Sequence, residues 1–153
     1  MDVKLINPFI NATLNVLETM AFTKAQAGKP YLKNDQVAPG DVSGVIGLTG
    51  EINGTISCSF TEKSILAIVS NMLGEGMKEM NDEIKDAVGE ITNMISGQAR
   101  QELEELGRSL QAAIPTVITG KNHSITHMTT SPIIAIPFST DNGEFTIEVC
   151  FEE

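Results

Sequence analysis

Residues 41–60, DVSGVIGLTGEINGTISCSF, decide the architecture. The run divides into 41–49 and 54–60, both rich in β-branched and small residues and neither carrying a helical period. Gly50, Glu51, Ile52 and Asn53 lie between them. That connection is too short for a parallel crossover, and Asn53 with Gly54 supplies the left-handed residues of a tight turn, so an antiparallel hairpin is predicted. Thr61 follows at once as a helix cap. Ile65, Leu66, Ile68, Val69, Met72 and Leu73 then recur at helical spacing, and Gly74 is the stop.

Downstream, residues 81–107, NDEIKDAVGEITNMISGQARQELEELG, read as the longest helix, opened near Asn81, with Asp82 and Glu83 facing the positive dipole end and Gly107 closing it. Residues 112–119, 133–139 and 144–151 are strand-like, and Asp141, Asn142 and Gly143 form a turn between the last two. Upstream, Asn7 as a cap and Pro8 at the first helical position announce a helix running to about Ala21. Its apolar face carries Ile6, Phe9, Ile10, Leu17 and Met20 together with Thr13. Residues 22–40, with Gly28, Pro30, Pro39 and Gly40, allow one short strand and a loop. No linker tract or internal repeat divides the chain. The expectation is a single two-layer α+β domain over residues 1–153, with helices packed on a mainly antiparallel sheet.

Composition narrows the function. The 153 residues carry ten Lys plus Arg against twenty Asp plus Glu, a net charge of −10 that repels polyanionic phosphate backbones. Nucleic acid and anionic membranes are excluded as partners. No stretch has the apolar length of a membrane span, and the opening MDVKLINPFINA has neither a basic n-region nor an uninterrupted apolar h-region, so a cytoplasmic protein is expected. Cys58 and Cys150 sit in apolar strand-like runs and read as reduced core thiols.

The long helix carries two opposed stripes. At 100° per residue, Ile84, Val88, Ile91, Ile95 and Leu106 fall on one side, and Asp86, Glu90, Asn93 and Gly97 fall nearly opposite. Glu90 and Asn93 are helical neighbours with Cβ atoms about 5–6 Å apart, a carboxylate beside a carboxamide, with Asp86 one turn away. Every amphipathic helix has a polar face, and most such faces are merely hydrated. Here, however, Asn93, Gly89 and Gly97 are poor helix formers, and each glycine costs roughly 0.5–1 kcal/mol against alanine. With Thr92 and Ser96 they leave a flank bare of bulky side chains, room for another protein's backbone beside Asn93.

The run Asp86-x-x-x-Glu90-x-x-Asn93, within DAVGEITNMISGQAR, resembles the motif of the CheC/CheX/FliY family of bacterial chemotaxis phosphatases. INPFINATLNVLETM, the hairpin and SPIIAIPFSTDNGEFTIEVCFEE resemble the same family, so the likeness spans nearly the whole chain. One departure is Pro115, which follows Asn93 one residue sooner than the family's spacing has it. The resemblance implies a phosphatase of a phosphorylated CheY-type response regulator. Glu90 and Asn93 would be its catalytic pair, Glu90 docking on the regulator's lysine and Asn93 orienting a water. On the bare flank Gly89 and Gly97 would be partner contacts, and Asp86 is either a peripheral contact or a solvated charge. It implies no metal or cofactor of the chain's own, since Mg²⁺ comes with the regulator, and it implies a homodimer. An exposed edge among the apolar strands at 133–151 would invite such self-pairing. The alternative within the same fold is a non-catalytic regulator-binding adaptor or flagellar switch module.

Other chemistry is set aside. His123 and His127 are four apart, but no third ligand stands at metal spacing. The glycines at 44, 47, 50 and 54 lack the lysine and the helix of a phosphate loop and read as turn and bulge residues. Ser57, Ser96 and Ser131 have no triad context, and Met72, Met77, Met80, Met94 and Met128 read as core filler.

Overall fold

The computed structural model describes residues 3–121, 123–127 and 132–152; the readings of Met128 and Ser131 fall outside the described residues. Along the chain the elements are α1 (Val3–Ala21), β1 (Gln26–Ala27), β2 (Tyr31–Lys33), β3 (Val42–Gly50), β4 (Gly54–Phe60), α2 (Glu62–Leu73), α3 (Asp82–Glu105), β5 (Leu110–Ala112), β6 (Thr116–Thr119), β7 (Ile133–Thr140) and β8 (Gly143–Phe151). The strands form one eight-stranded sheet in the order β1, β7, β8, β4, β3, β5, with β2 also on β7 and β6 also on β3. Every pairing is antiparallel. The two-layer α+β class stands.

Alternation along the strands builds the layer contact. Val42, Ile46 and Leu48 of β3 and Ile56, Cys58 and Phe60 of β4 join Ile147, Val149 and Phe151 of β8 in a core shared with all three helices. The registers Phe60 to Phe145 and Phe145 to Phe138 align three rings across β4, β8 and β7. Phe138 stacks on Phe145 with centroids 5.0 Å apart, and Phe60 lies 5.3 Å from Phe145. Such cross-strand aromatic pairs add about 0.5–1.5 kcal/mol each beyond the area they bury.

Thr61 and Gly74 bound α2 as expected: Thr61 accepts from the Ser64 N–H and Gly74 is left-handed at φ 70°. The first helix differs, because it begins at Val3 and holds Pro8 inside its second turn. Pro8 cannot donate a helical hydrogen bond, but starting early buries Leu5 and Ile6, which offsets that loss. The hairpin turn also differs. Gly50, at φ 138°, carries the special backbone, whereas Gly54 is already in β4. A Cβ at Gly54 would lie 2.4 Å from the Phe151 ring, so that glycine serves strand packing.

The single strand expected over 112–119 is two, β5 and β6, both on the outer edge of β3. Pro115 between them has no N–H for the ladder, and the chain leaves the edge there with Ile114 exposed. Residues 22–40 likewise yield two short strands, which cover the outer edge of β7. β8 lies inside the sheet between β7 and β4. The long terminal strands therefore present no long open edge, and the edge argument for self-pairing falls.

Candidate functional site

α3 is set by signals at both ends. Asn81 caps it, its side-chain oxygen accepting from the Ile84 N–H at 3.1 Å, and Asp82 and Glu83 occupy the first turn. At the other end Gly107 takes φ 89°, its N–H donating to Glu104 O at 2.9 Å while Arg108 N–H donates to Leu103 O at 2.8 Å. These two bonds satisfy carbonyls the helix would otherwise leave open.

Ile84, Val88, Ile91 and Ile95 are buried as their spacing predicts. Leu106 is not: it is the C-cap residue, 59% exposed, and Leu103 fills the core in its place. The helical period ceases to apply where the helix ends. On the opposite side Asp86, Glu90 and Asn93 are all exposed. Among the described residues neither Glu90 nor Asn93 is engaged in a hydrogen bond or ion pair. The carboxylate and the amide thus stand ready for an outside partner, adjacent on a helix fixed by the core beneath it.

The small-residue flank has a different meaning from the one expected. Gly89, Thr92 and Ser96 are buried, Gly89 toward β6 and Thr92 toward β3. A Cβ on Gly89 would lie 3.5 Å from Val117 of β6, and Thr92 sits over Gly44 of β3. The missing side chain at Gly44 lets helix and sheet approach there. Gly89 offers no open surface to a partner. Gly97 does: it is half-buried, and only the Arg100 guanidinium, 3.9 Å from an added Cβ, stands nearby. α1 lies alongside, Asn15 donating to Gln98 Oε1 at 2.7 Å and Asn11 to Glu102 Oε1 at 3.1 Å. These bonds tie the back of α3 and leave the Glu90 and Asn93 face clear.

Cys58 and Cys150 are free and buried. Burial pushes the Cys58 thiol up to about 12, with a side-chain hydrogen bond to Thr92 opposing, so it holds its proton at ordinary pH and is no nucleophile. The histidines have separate structural partners. His123 bonds Ser43 Oγ and Gly120 O, each at 2.6 Å, and His127 bonds Glu148 at 3.2 Å. Among the described residues no group of three or more His, Cys, Asp or Glu side chains is placed to hold a metal ion, and no helix is long and apolar enough to cross a membrane. Met72, Met77, Met80 and Met94 pack, partly buried, against the core.

A buried polar cluster was not foreseen. On the sheet face away from the helices, Glu148 is fully buried and takes Lys33 Nζ at 2.7 Å and His127 Nε2 at 3.2 Å. The segments that roof it are joined by Ala38 N–H to His123 O and Ile125 N–H to Gln36 O, both at 2.8 Å. A carboxylate inside the apolar run EFTIEVCF was the available signal.

Comparison with known proteins identifies the family. Residues 42–139 match the family described as Chemotaxis phosphatase CheX. The chain is 30% identical over 145 residues to the CheY-P phosphatase CheX of Thermotoga maritima, covering 94% of this chain and 92% of that protein. A crystal structure of the chemotaxis protein CheX from Desulfovibrio desulfuricans superposes with a TM-score of 0.90 at 53% identity, covering 97% of this chain and 99% of that one. The CheX chain of a complex with CheY, BeF3 and Mg²⁺ from Borrelia burgdorferi gives 0.82 at 26% identity, covering 97% of each chain. With the α+β architecture and the match across its central elements, the chain belongs to the chemotaxis phosphatase CheX family.

Proposed function

We propose that the protein stimulates hydrolysis of the aspartyl phosphate of a CheY-type response regulator, Asn93 orienting the attacking water and Glu90 docking α3 on the regulator. The observation that carries this reading is the exposed carboxylate and carboxamide side by side on one rigid helix, neither with an internal partner among the described residues. Two relatives support it: one bears the name CheY-P phosphatase, and another occurs in a complex with CheY, BeF3 and Mg²⁺. Beryllium trifluoride is a tetrahedral stand-in for a phosphoryl group.

The chemistry asks little covalent work of this chain. A water oxygen bonds phosphorus as the bond from phosphorus to the aspartyl oxygen breaks; the electron pair leaves with the carboxylate, and both of the water's protons leave with inorganic phosphate, as dihydrogen phosphate in equilibrium with solvent. The transition state is loose and in line, so positioning dominates the catalysis. Mg²⁺ and the active-site lysine belong to the regulator and hold the developing charge. A neutral carboxamide accepts one hydrogen bond from water and donates another, which aims the water without adding negative charge beside the phosphoryl group. Glu90 pairs with the regulator's lysine and fixes the register. Asp86 and Gly97 lie at the periphery of the contact. Gly89, buried beside Val117 of β6, lies outside it.

The same reading holds the protein to be cytoplasmic and homodimeric; light scattering at low micromolar concentration reads the dimer, and a monomer mass would remove it. The decisive experiment is release of inorganic phosphate from a phosphorylated CheY-type regulator. Accelerated release at catalytic amounts of the protein is expected. Tight binding to the BeF3-activated regulator without acceleration would assign the adaptor role instead.

A further inference from the structure

The exposed pair Glu90 and Asn93 rides on a helix whose seat lies directly below. Thr92, between the docking and the aiming residue in sequence, is fully buried and points at Gly44 of β3. Its hydroxyl donates to Val88 O at 2.7 Å. It also meets the thiol of Cys58, the residue opposite Gly44 in the β3 and β4 ladder. A Cβ built on Gly44 would lie 2.1 Å from Thr92 Oγ1, 3.0 Å from Thr92 Cβ and 3.3 Å from Val88 Cγ1. No backbone torsion demands glycine here, since Gly44 is ordinary strand and is not among the positive-φ residues. What demands it is the depth to which α3 sinks.

We infer that Gly44 and Thr92 are positioning residues for the phosphatase reaction: the notch at Gly44, filled by the Thr92 hydroxyl, sets the local course of α3 and with it the aim of the Asn93 amide relative to Glu90. The inference rests on the phosphatase reading above. Thr92 cannot turn aside cheaply, because it is fully buried and its hydroxyl is already engaged by the Val88 carbonyl. Ile84, Val88, Ile95 and Ala99 hold the helix in the core on either side. A wedge at Thr92 is therefore absorbed by bending between its anchors, which changes the angle between Glu90 and Asn93 and leaves both on the surface. Misplacing a positioned group by about 1 Å costs on the order of a hundredfold in rate.

The test is Gly44→Ala, read by phosphate release from a phosphorylated CheY-type regulator and by affinity for its BeF3-activated form. The expected result is a turnover number lower by roughly ten- to a hundredfold with affinity within about threefold of the parent. The double variant Gly44→Ala with Thr92→Ala, which removes the hydroxyl from the added methyl, is expected to regain at least a third of the lost rate. Full activity of folded Gly44→Ala overturns the inference, as does parallel loss of affinity and turnover. If Gly44→Ala fails to fold, the double variant decides: a folded, active protein supports the seat, and an inactive one refutes it. Absence of stimulated release by the unmodified protein would instead defeat the phosphatase reading, a separate outcome.

Discussion

Two polar sets flank the same sheet, and they handle their hydrogen bonds in opposite ways. Lys33, Glu148 and His127 lie beneath a roof of loops, and each ends on another member of the cluster. Glu90 and Asn93 stand on the outer side of α3, their side chains without a bond to any other described residue. A buried charge must be paired because its desolvation costs several kcal/mol; an exposed one pays nothing to stand idle, so its placement is free for selection by a partner. The buried set is thus read as architecture and the exposed set as function.

Glu148→Ala removes the fully buried carboxylate that Lys33 and His127 share, leaving Lys33 with only Val37 O and Asp35, and is expected to cost about 3 kcal/mol of stability in urea unfolding, with turnover per folded molecule unchanged. A loss of turnover in the folded fraction would make the cluster part of the site. Asn93→Ala is the mirror case. Its phosphate release is expected to fall by about 10²–10³, with unfolding stability within about 0.5 kcal/mol and regulator binding retained. Unimpaired release would remove Asn93 from the chemistry. Glu90→Lys is expected to weaken binding of the BeF3-activated regulator by about tenfold or more, because a repulsive pair replaces an attractive one. Asp86→Ala comes last: a change of about twofold in affinity, vanishing at high salt, is what a peripheral charge gives. A tenfold effect there would move Asp86 to the centre of the contact.

The hairpin, the caps of α2 and α3 and the opposed stripes of α3 were legible because each is a local matter of period and of special residues at fixed offsets. Leu106 misled because its period ran past the stop that Gly107 itself announced. The start of α1 misled because proline's preference for the first turn was outweighed by the burial of Leu5 and Ile6. The small flank of α3 invites the wrong neighbour: sequence registers that Gly89 and Thr92 are small, and only the fold reveals that Gly89 lies beside Val117 of β6 and Thr92 on Gly44 of β3. The same holds for Gly44 and Gly54, read as turn residues and found as contact points. Glu148 was passed over because its partners lie 21 and 115 residues away.

The amino-acid order alone determined the presence of three helices and four long strands, the antiparallel pairing of β3 with β4 and the exposure of Glu90 beside Asn93, since helical period and short connections are local and survive any arrangement of the rest. The tertiary structure decided which strands became edges, where the buried carboxylate found its cation, and how deep α3 sits. Those depend on distances between residues far apart in the chain, which no local pattern encodes.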